Sequence, residues 1–185
     1  MRILAGFEIL ILWLLWWYPF FFRAPHGQKR ESVTAAGATR LGLLLEVAGI
    51  FLVFLLRTSP YPRTGLLLMT GSLVLGVLGV VLMWTAIPHL GRQFRITAGL
   101  YHDHELVSTG PYAIVRHPIY AGLLAMMLST GLLLTTWPWL AAGVAIYVTG
   151  TEIRVHTEER LLASRFGERF ESYKKATSAY VPFLR

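Results

Sequence analysis

Apolar runs that are long enough to cross a lipid bilayer constrain the fold of this chain more than any other feature. The first run, residues 3–22, contains one residue that is charged at neutral pH, Glu8. A helix crosses the hydrocarbon core in about 20 apolar residues, and a spanning chain satisfies its backbone hydrogen bonds only as helices or as a closed barrel. Hydrophobic residues make up 55% of the 185 residues and charged residues only 15%. This composition is too apolar for a soluble domain, so we predict an all-α integral membrane protein.

Five apolar segments, two of them short, are predicted as transmembrane helices of one helical bundle. They cover residues 3–22, 41–56, 65–87, 119–136 and 137–150. The first segment is too long and too aromatic for the core of a signal peptide, so we expect it to remain as an anchor. The stretch Trp137-Pro138-Trp139 predicts a tight hairpin turn between the last two spans.

The lysine and arginine residues predict the orientation of the bundle, because positively charged loops stay in the cytoplasm. With the carboxyl terminus inside, fourteen of these residues are cytoplasmic, and only Arg2, Arg57 and Arg63 are outside. We therefore expect an outside amino terminus and a cytoplasmic face formed by residues 88–118 and 151–185. The net charge of +7 does not indicate a nucleic-acid partner, since the basic residues separate apolar segments and are not interleaved with base-stacking aromatics.

The residue types present exclude or disfavour several kinds of site. The chain has no cysteine, which excludes disulfides, thiolate metal ligands and cysteine nucleophiles. The sequence HDHE at residues 102–105 resembles a metal-binding motif, but a zinc protease would need a second histidine three residues after the glutamate. Zinc sites need three or four convergent ligands, so we expect no metal. No G-x-G-x-x-G motif follows a strand, so a nucleotide-like cofactor must be held outside the soluble dinucleotide fold.

A polar cluster, GPYAIVRHPIYAG, stands at residues 110–122 directly before an apolar run. Pro111 and Pro118 restrict their neighbours to extended or turn geometry, which predicts a short ordered turn at the membrane boundary with backbone groups partly unpaired. Taken alone, the cluster has a plain structural interpretation. In that interpretation, Arg116 would reach lipid headgroups, and Tyr112 and Tyr120 would be interfacial aromatic residues.

A second polar cluster begins where the fifth predicted span ends. Val155, Leu162, Phe166, Phe170 and Tyr173 recur at three- and four-residue steps, which predicts a helix along the membrane surface or against the preceding loop.

Charged residues of this helix suggest a site. Arg154 and Glu158 lie four residues apart on one face, and Glu159 falls on the apolar stripe with Val155. Two charges at a membrane exit, opposite another polar cluster, predict a functional site. Within the first two spans, Glu8 and Glu46 are predicted to be structural, close enough to the span ends to reach the interface.

Three spaced motifs and a closing VPF appear in one order over residues 90–183. The motifs are LGRQFR, HELVSTGPYAIVRHPIYAG and EIRVHTEERLLASRFGERFESYKKA. In these residues the chain resembles the isoprenylcysteine carboxyl methyltransferase family of integral membrane methyltransferases and its relatives that methylate phospholipid amines. Relatives often carry a basic residue shortly before the final proline, where this chain has Ser178-Ala179-Tyr180.

The resemblance implies a pocket for S-adenosyl-L-methionine in a single methyltransferase domain over residues 1–185. Residues 1–87 would supply three spans, and residues 88–185 would form the cofactor-binding catalytic half. The implied cofactor-binding residues are His104, Leu106, Val107, Tyr112, His117, Tyr120 and Glu158. Glu158 would bind the amino-acid end of the cofactor, and Arg154 would hold the acidic group of the substrate, which makes these two the expected catalytic residues. Glu159, Arg116 and Gly110 would have supporting roles.

The activity implied is methyl transfer at the membrane interface to a lipophilic or lipidated acceptor, with a carboxylate as the first choice. A carboxylate needs a cation to orient it but no general base, which suits Arg154. An amine acceptor, as in a phospholipid N-methyltransferase, would need Glu158, Glu159 or His117 as a base. A nicotinamide-dependent membrane reductase and a non-catalytic membrane scaffold are the remaining alternatives.

Overall fold

The computed structural model describes residues 2–22, 32–34, 36–56, 65–96, 99–101 and 103–182. These residues form six α-helices: α1 Arg2–Phe22, α2 Ala36–Leu55, α3 Leu66–Leu90, α4 Pro118–Leu134, α5 Trp137–Phe166 and α6 Glu168–Ala176. Two short strands, β1 Ser32–Thr34 and β2 Gly99–Tyr101, and two 3-10 turns, Gly91–Gln93 and Gly110–Ala113, complete the described elements. The predicted all-α membrane bundle is confirmed.

The long apolar helices make this a multi-pass membrane protein. Among the described residues, Ile3–Phe22, Gly37–Leu55 and Leu66–Gln93 are long and apolar enough to cross a membrane. Helix α4 is apolar but shorter, with 17 residues. Helix α5 is apolar in its first half and charged in its second. The structure therefore has a helix at each of the five predicted segments, while spanning by α4 and α5 stays a prediction.

The bundle is built from two pairs of closely packed helices. Helix α2 packs along α5, and α3 packs along α4, while α1 lies mainly against α3. One buried apolar cluster joins α1, α3 and α4 around Met83 and Met126, and a second joins α2, α4 and α5 around Met127 and Tyr147. Leu123 of α4 packs against both clusters. Because α1 does not pack along α2, a gap remains between these two helices.

Two local expectations were wrong. The turn between α4 and α5 lies at residues 135–136, and Trp137-Pro138-Trp139 forms the first turn of α5, where proline is tolerated because its missing N–H has no helical partner. The helix that leaves the fifth segment is also not continuous. It ends at Phe166 because Gly167 has φ +51°, a left-handed conformation that favours glycine, and α6 begins after it.

The structure also contains a small sheet that the sequence pattern did not predict. Strands β1 and β2 pair antiparallel, with Val33 opposite Leu100. The strands have three residues each and lie far apart in the chain, so neither shows the alternation that identifies a strand from sequence. This pairing ties the segment between α1 and α2 to the loop that precedes the 3-10 turn at Gly110–Ala113.

Candidate functional site

One cavity is lined by all of the catalytic and cofactor-binding residues that the sequence predicted. Its volume is about 650 Å³, within the range of about 300–1,000 Å³ typical of small-molecule sites. It lies at the end of the bundle where α3 ends and α4 begins. The predicted residues that line it are His104, Leu106, Val107, Tyr112, His117, Tyr120, Arg154 and Glu158.

Arg154 is held in place on the α5 wall of the cavity. Its Nη1 atom lies 2.5 Å from Glu46 Oε2, and its Nη2 atom donates to the carbonyl oxygen of Ile96 at 2.6 Å. The guanidinium carbon is 4.9 Å from the centre of the Tyr120 ring, so the cation faces an aromatic π-surface. Arg154 is buried, and its charge is therefore balanced by protein groups and not by bulk water.

Glu46 is the residue of this site that the sequence interpretation placed differently. It was expected to reach the interface, but it is only 1% exposed and lines the cavity in direct contact with Arg154. Thr151 Oγ1 donates a second hydrogen bond to Glu46 Oε1 at 3.1 Å. An acidic residue inside a predicted span is itself a signal for a site. Its partner, however, lies 108 positions along the chain, a distance that local patterns do not bridge.

Glu158 is a further carboxylate that lines the cavity. Tyr120 Oη donates a hydrogen bond to Glu158 Oε1, and His117 Nδ1 lies 3.8 Å from Glu158 Oε2. The Glu158 side chain is 24% exposed, against 11% for that of Glu159. Tyr120 is fixed in turn, because Tyr147 Oη donates to its backbone carbonyl at 2.9 Å. Glu158 thus combines a fixed position with an accessible oxygen.

Glu159 is turned away from Glu158 and joins three basic side chains. Its oxygens lie 2.9 Å from Arg116 Nε, 3.2 Å from His117 Nε2 and 2.6 Å from Lys174 Nζ. Burial alone would raise its pKa, but the hydrogen bonds from His117 and Lys174 and the charge of Arg116 lower the pKa of Glu159 to about 2. Val155 is buried beside it on the same face, as the helical pattern predicted. Glu159 therefore connects the 116–117 turn to α5 and α6.

The carboxyl-terminal segment supplies partners for the turn at residues 116–117. The backbone N–H groups of Arg116 and His117 donate to the carbonyls of Ser178 at 2.8 Å and Ala179 at 3.0 Å. The ordered turn is thus confirmed, and the amides expected to be unpaired are satisfied by the tail. Tyr180 Oη donates to Glu152 Oε1 at 2.8 Å, which anchors this segment on α5.

Helix α6 covers the cavity from the side of the tail. Phe170, only 1% exposed, and Tyr173 both line the cavity. Tyr173 Oη donates to the backbone carbonyl of Tyr112 at 2.6 Å. Burial raises the pKa of Tyr173 to about 12, so this phenol stays protonated and remains a donor at neutral pH.

Three buried polar atoms at the polar end of the cavity have no hydrogen-bond partner within the described part of the chain. They are Tyr112 Oη, Gln93 Oε1 and Arg154 Nε. Burial and the charge of Glu158 raise the pKa of Tyr112, so its hydroxyl is a neutral donor. Buried polar atoms are nearly always satisfied, which indicates that a ligand or water completes these three. Gln93 stands in the LGRQFR motif but was not singled out from the sequence.

The loop at residues 103–107 forms another wall of the cavity. Leu106 and Val107 are half-buried there, and the His104 ring lies 6.3 Å from the Phe166 ring. Burial and the positive charge of Arg95 lower the pKa of His104, which favours the neutral imidazole. His102, the first residue of the HDHE stretch, lies outside the described residues. Among the residues described, no group of three or more His, Asp or Glu side chains could hold a metal ion.

The cavity extends from this polar end into an apolar slot between α1 and α2. Apolar side chains repeat down both helices at helical spacing and line the slot. They are Trp13, Trp16, Trp17 and Phe20 of α1 and Leu43, Val47, Ile50, Phe51 and Phe54 of α2. Leu123 of α4 lies at the back of the slot. One cavity thus joins charged groups to a long apolar surface.

The model of the isoprenylcysteine carboxyl methyltransferase (ICMT) family matches residues 72–164. Protein-S-isoprenylcysteine O-methyltransferase of Schizosaccharomyces pombe is 32% identical over 117 residues, which cover 62% of this chain and 50% of that protein. Cobalt-zinc-cadmium resistance protein CzcN of Cupriavidus metallidurans is 32% identical over 117 residues, covering 60% of this chain and 50% of that protein.

Among solved structures, the eukaryotic intramembrane Ras methyltransferase ICMT is similar with a TM-score of 0.47 and 21% identity. That match covers 97% of this chain and 52% of the other. The chain spans about half the length of the curated relatives that it matches.

Proposed function

Because the chain belongs to the isoprenylcysteine carboxyl methyltransferase family, we propose that it transfers a methyl group from S-adenosyl-L-methionine to a lipophilic or lipidated acceptor at the membrane interface. The observation that carries this proposal is the single cavity in which a polar end containing Arg154 and Glu158 continues into the apolar slot between α1 and α2. Such a cavity allows a water-soluble cofactor and a lipid-soluble acceptor to meet. Family membership favours methyl transfer over the nicotinamide-dependent reductase and the scaffold.

The residues at the polar end fit S-adenosyl-L-methionine. Glu158 offers an accessible carboxylate for the cofactor's ammonium group, and Tyr112 offers a buried phenol without a partner within the described chain. The aromatic rings of Tyr112, Tyr120 and Tyr173 line the same space, where they suit a cationic sulfonium. His104, Leu106 and Val107 form the wall proposed for the adenosine side. When bound, the cofactor supplies an electrophilic methyl group.

For the acceptor, we assign Arg154 to the recognition of a carboxylate. The side chain is oriented by Glu46 and the carbonyl of Ile96, and its buried Nε–H donor has no partner within the described residues. A carboxylate oxygen would satisfy that donor. Methyl transfer to a carboxylate then needs only positioning and charge stabilisation, since the nucleophile carries no proton.

The Glu46–Arg154 pair also favours a second candidate, an amine acceptor such as a phospholipid amine. Glu46 already balances the charge of Arg154, which leaves the Glu158 carboxylate to attract a cation. His117 lies 3.8 Å from Glu158 and 3.2 Å from Glu159. In this candidate function, His117 or Glu158 accepts the proton that the amine loses.

Calorimetric titration with S-adenosylhomocysteine, the demethylated product, tests the cofactor site. In nanodisc-embedded protein we expect Glu158→Gln to weaken binding about tenfold or more, because a hydrogen bond to a charged group contributes about 1.5–3 kcal/mol. Glu168→Gln, on the exposed first turn of α6, is the matched control and should bind like the wild type. Absence of binding to folded wild-type protein would contradict the proposed function.

Methylation assays test the division of roles between the two catalytic residues. N-acetyl-S-farnesylcysteine provides a carboxylate acceptor and phosphatidylethanolamine an amine. Arg154→Lys keeps the positive charge that Glu46 requires but loses the planar guanidinium with its several N–H donors. It should therefore raise the KM of the carboxylate acceptor and leave the binding of S-adenosylhomocysteine unchanged. Equal losses of cofactor affinity in Arg154→Lys and Glu158→Gln would refute this division.

A further inference from the structure

The apolar slot is closed at the end that lies farther from the polar residues of the cavity. Its lining on α1 stops at Trp13, its lining on α2 stops at Phe54, and its lining on α4 stops at Leu123. The rings of Trp13 and Phe54 meet across the gap between the two helices, with their centres 5.9 Å apart. Beyond Leu123 along α4, Met126 and Met127 are only 1% exposed and belong to the two buried apolar clusters. The slot therefore does not continue between the helices.

Trp13 is held rigidly at this closed end. Its Nε1–H donates to Thr130 Oγ1 at 2.9 Å, and the hydroxyl of Thr130, itself 1% exposed, donates to the carbonyl of Met126 at 2.8 Å. The Trp16 ring stands edge-on to Trp13 at 5.6 Å. Turning the indole away would leave a polar N–H unpaired in an apolar environment, which is unfavourable. The closed end is therefore a fixed wall rather than a side chain that gives way.

We propose that Trp13 and Phe54 limit the length of the hydrocarbon chain that the acceptor can place in the slot. This inference rests on the proposed function. Glu46 marks the polar end of α2 in the cavity, and Phe54 lies eight residues further along the same helix. A rise of 1.5 Å per residue makes the slot about 12 Å deep. A single chain of that length fills it, and a longer chain has to bend out between α1 and α2 into the lipid.

The test compares acceptors that differ only in chain length. N-acetyl-S-geranyl-, S-farnesyl- and S-geranylgeranyl-cysteine are assayed for kcat/KM in nanodiscs with wild-type protein, Trp13→Ala and Phe54→Ala. We expect each substitution to raise the kcat/KM ratio of geranylgeranyl to geranyl acceptor about tenfold. A factor of ten corresponds to about 1.4 kcal/mol, which the burial of two further CH₂ groups supplies. Leu14→Ala, on the lipid-facing side of α1, is the matched control.

A binding measurement on the same variants separates this inference from the proposed function. The shift in Tm produced by each acceptor is recorded with S-adenosylhomocysteine bound, so no chemistry is needed. Trp13→Phe, which removes the hydrogen bond to Thr130 and replaces the indole with a smaller ring, is used in place of Trp13→Ala if the latter does not fold. If the kcat/KM ratio of geranylgeranyl to geranyl acceptor is the same in the Trp13 and Phe54 variants as in the wild type, and product binding is retained, the inference alone is overturned. Acceptors that bind with the expected length dependence but are not methylated overturn the proposed carboxylate chemistry and leave the length limit standing. A folded wild-type protein that binds the product but none of the acceptors overturns both.

Discussion

Two neighbouring carboxylates on α5, Glu158 and Glu159, have different surroundings and therefore different proposed roles. Successive residues of a helix point about 100° apart, so one side chain faces the cavity and the other faces the 116–117 turn. Glu158 keeps an accessible oxygen, whereas Glu159 is surrounded by Arg116, His117 and Lys174. We propose that the first binds a ligand and that the second maintains the geometry of the turn.

The low pKa of Glu159 makes the stability of the protein depend on pH. The pKa in the fold, about 2, lies below the usual value of 4.5. The carboxylate therefore stabilises the folded state fully above pH 4.5, and this contribution is lost as the pH falls toward about 2. We expect the Tm of the wild type to decrease more steeply between about pH 5 and 3 than the Tm of Glu159→Gln. Parallel curves for the two proteins would show that this linkage is absent.

Removing the charge of Glu46 should destabilise the bundle and disturb acceptor binding. Glu46→Gln leaves the buried guanidinium of Arg154 without its counter-charge, and breaking a buried pair in this way costs about 3–5 kcal/mol. We expect a lower Tm in thermal unfolding. In the protein that remains folded, the substitution should raise the KM of the acceptor more than the KM of the cofactor. The substitution Thr151→Val, which removes the hydroxyl that donates to Glu46 and leaves the charge pair in place, should have a smaller effect of the same kind. A Tm unchanged by Glu46→Gln would contradict the pairing.

At the scale of elements, the close approach of α2 and α5 supports the site. A Cβ atom at Gly42 would lie 2.5 Å from Arg154 Cγ and 2.7 Å from the carbonyl oxygen of Gly150. Helices in membranes approach this closely through small residues. We expect Gly42→Ala to separate the two helices, lower the Tm and displace Arg154, with a loss of acceptor methylation. Gly37→Ala lies on the same helix with nothing within 4 Å of its Cβ, and it should behave like the wild type.

The parts of the fold that were predictable are those encoded by neighbouring residues. Long apolar runs identified α1, α2 and α3, and helical spacing placed Val155 and Glu159 on one buried face. Pairings between distant segments were not predictable, as β1 with β2 and Glu46 with Arg154 show. The break at Gly167 was missed because the apolar pattern continues through it to Phe170 and Tyr173. The residues lining the cavity were named from a motif resemblance, whereas the aromatic slot on α1 carries no motif.

For the whole molecule, the cavity draws on both halves of the chain. Glu46 and the slot residues of α1 and α2 come from the first half, and the polar residues proposed to bind the cofactor come from the second. We therefore propose one domain over residues 1–185 in which α1 and α2 hold the acceptor chain and residues 88–185 hold the cofactor and perform the transfer.

The proposed orientation can be tested directly because the chain has no cysteine of its own. Ser164→Cys and Trp137→Cys introduce single thiols at exposed positions near opposite ends of α5. With a cytoplasmic carboxyl terminus, a membrane-impermeant maleimide should label position 137 in intact cells and position 164 only in inside-out vesicles. The reverse pattern would show that the site faces the other side of the membrane.

The hydrogen bonds between the 116–117 turn and the segment at residues 178–179 impose an order on biosynthesis. The first three helices can enter the membrane as they are made, but the turn has no partner for its amides until synthesis has passed residue 179. A nascent chain that stops earlier is therefore inserted and yet lacks a finished pocket. Partly synthesised copies would consequently lack the completed pocket that we propose for the cofactor.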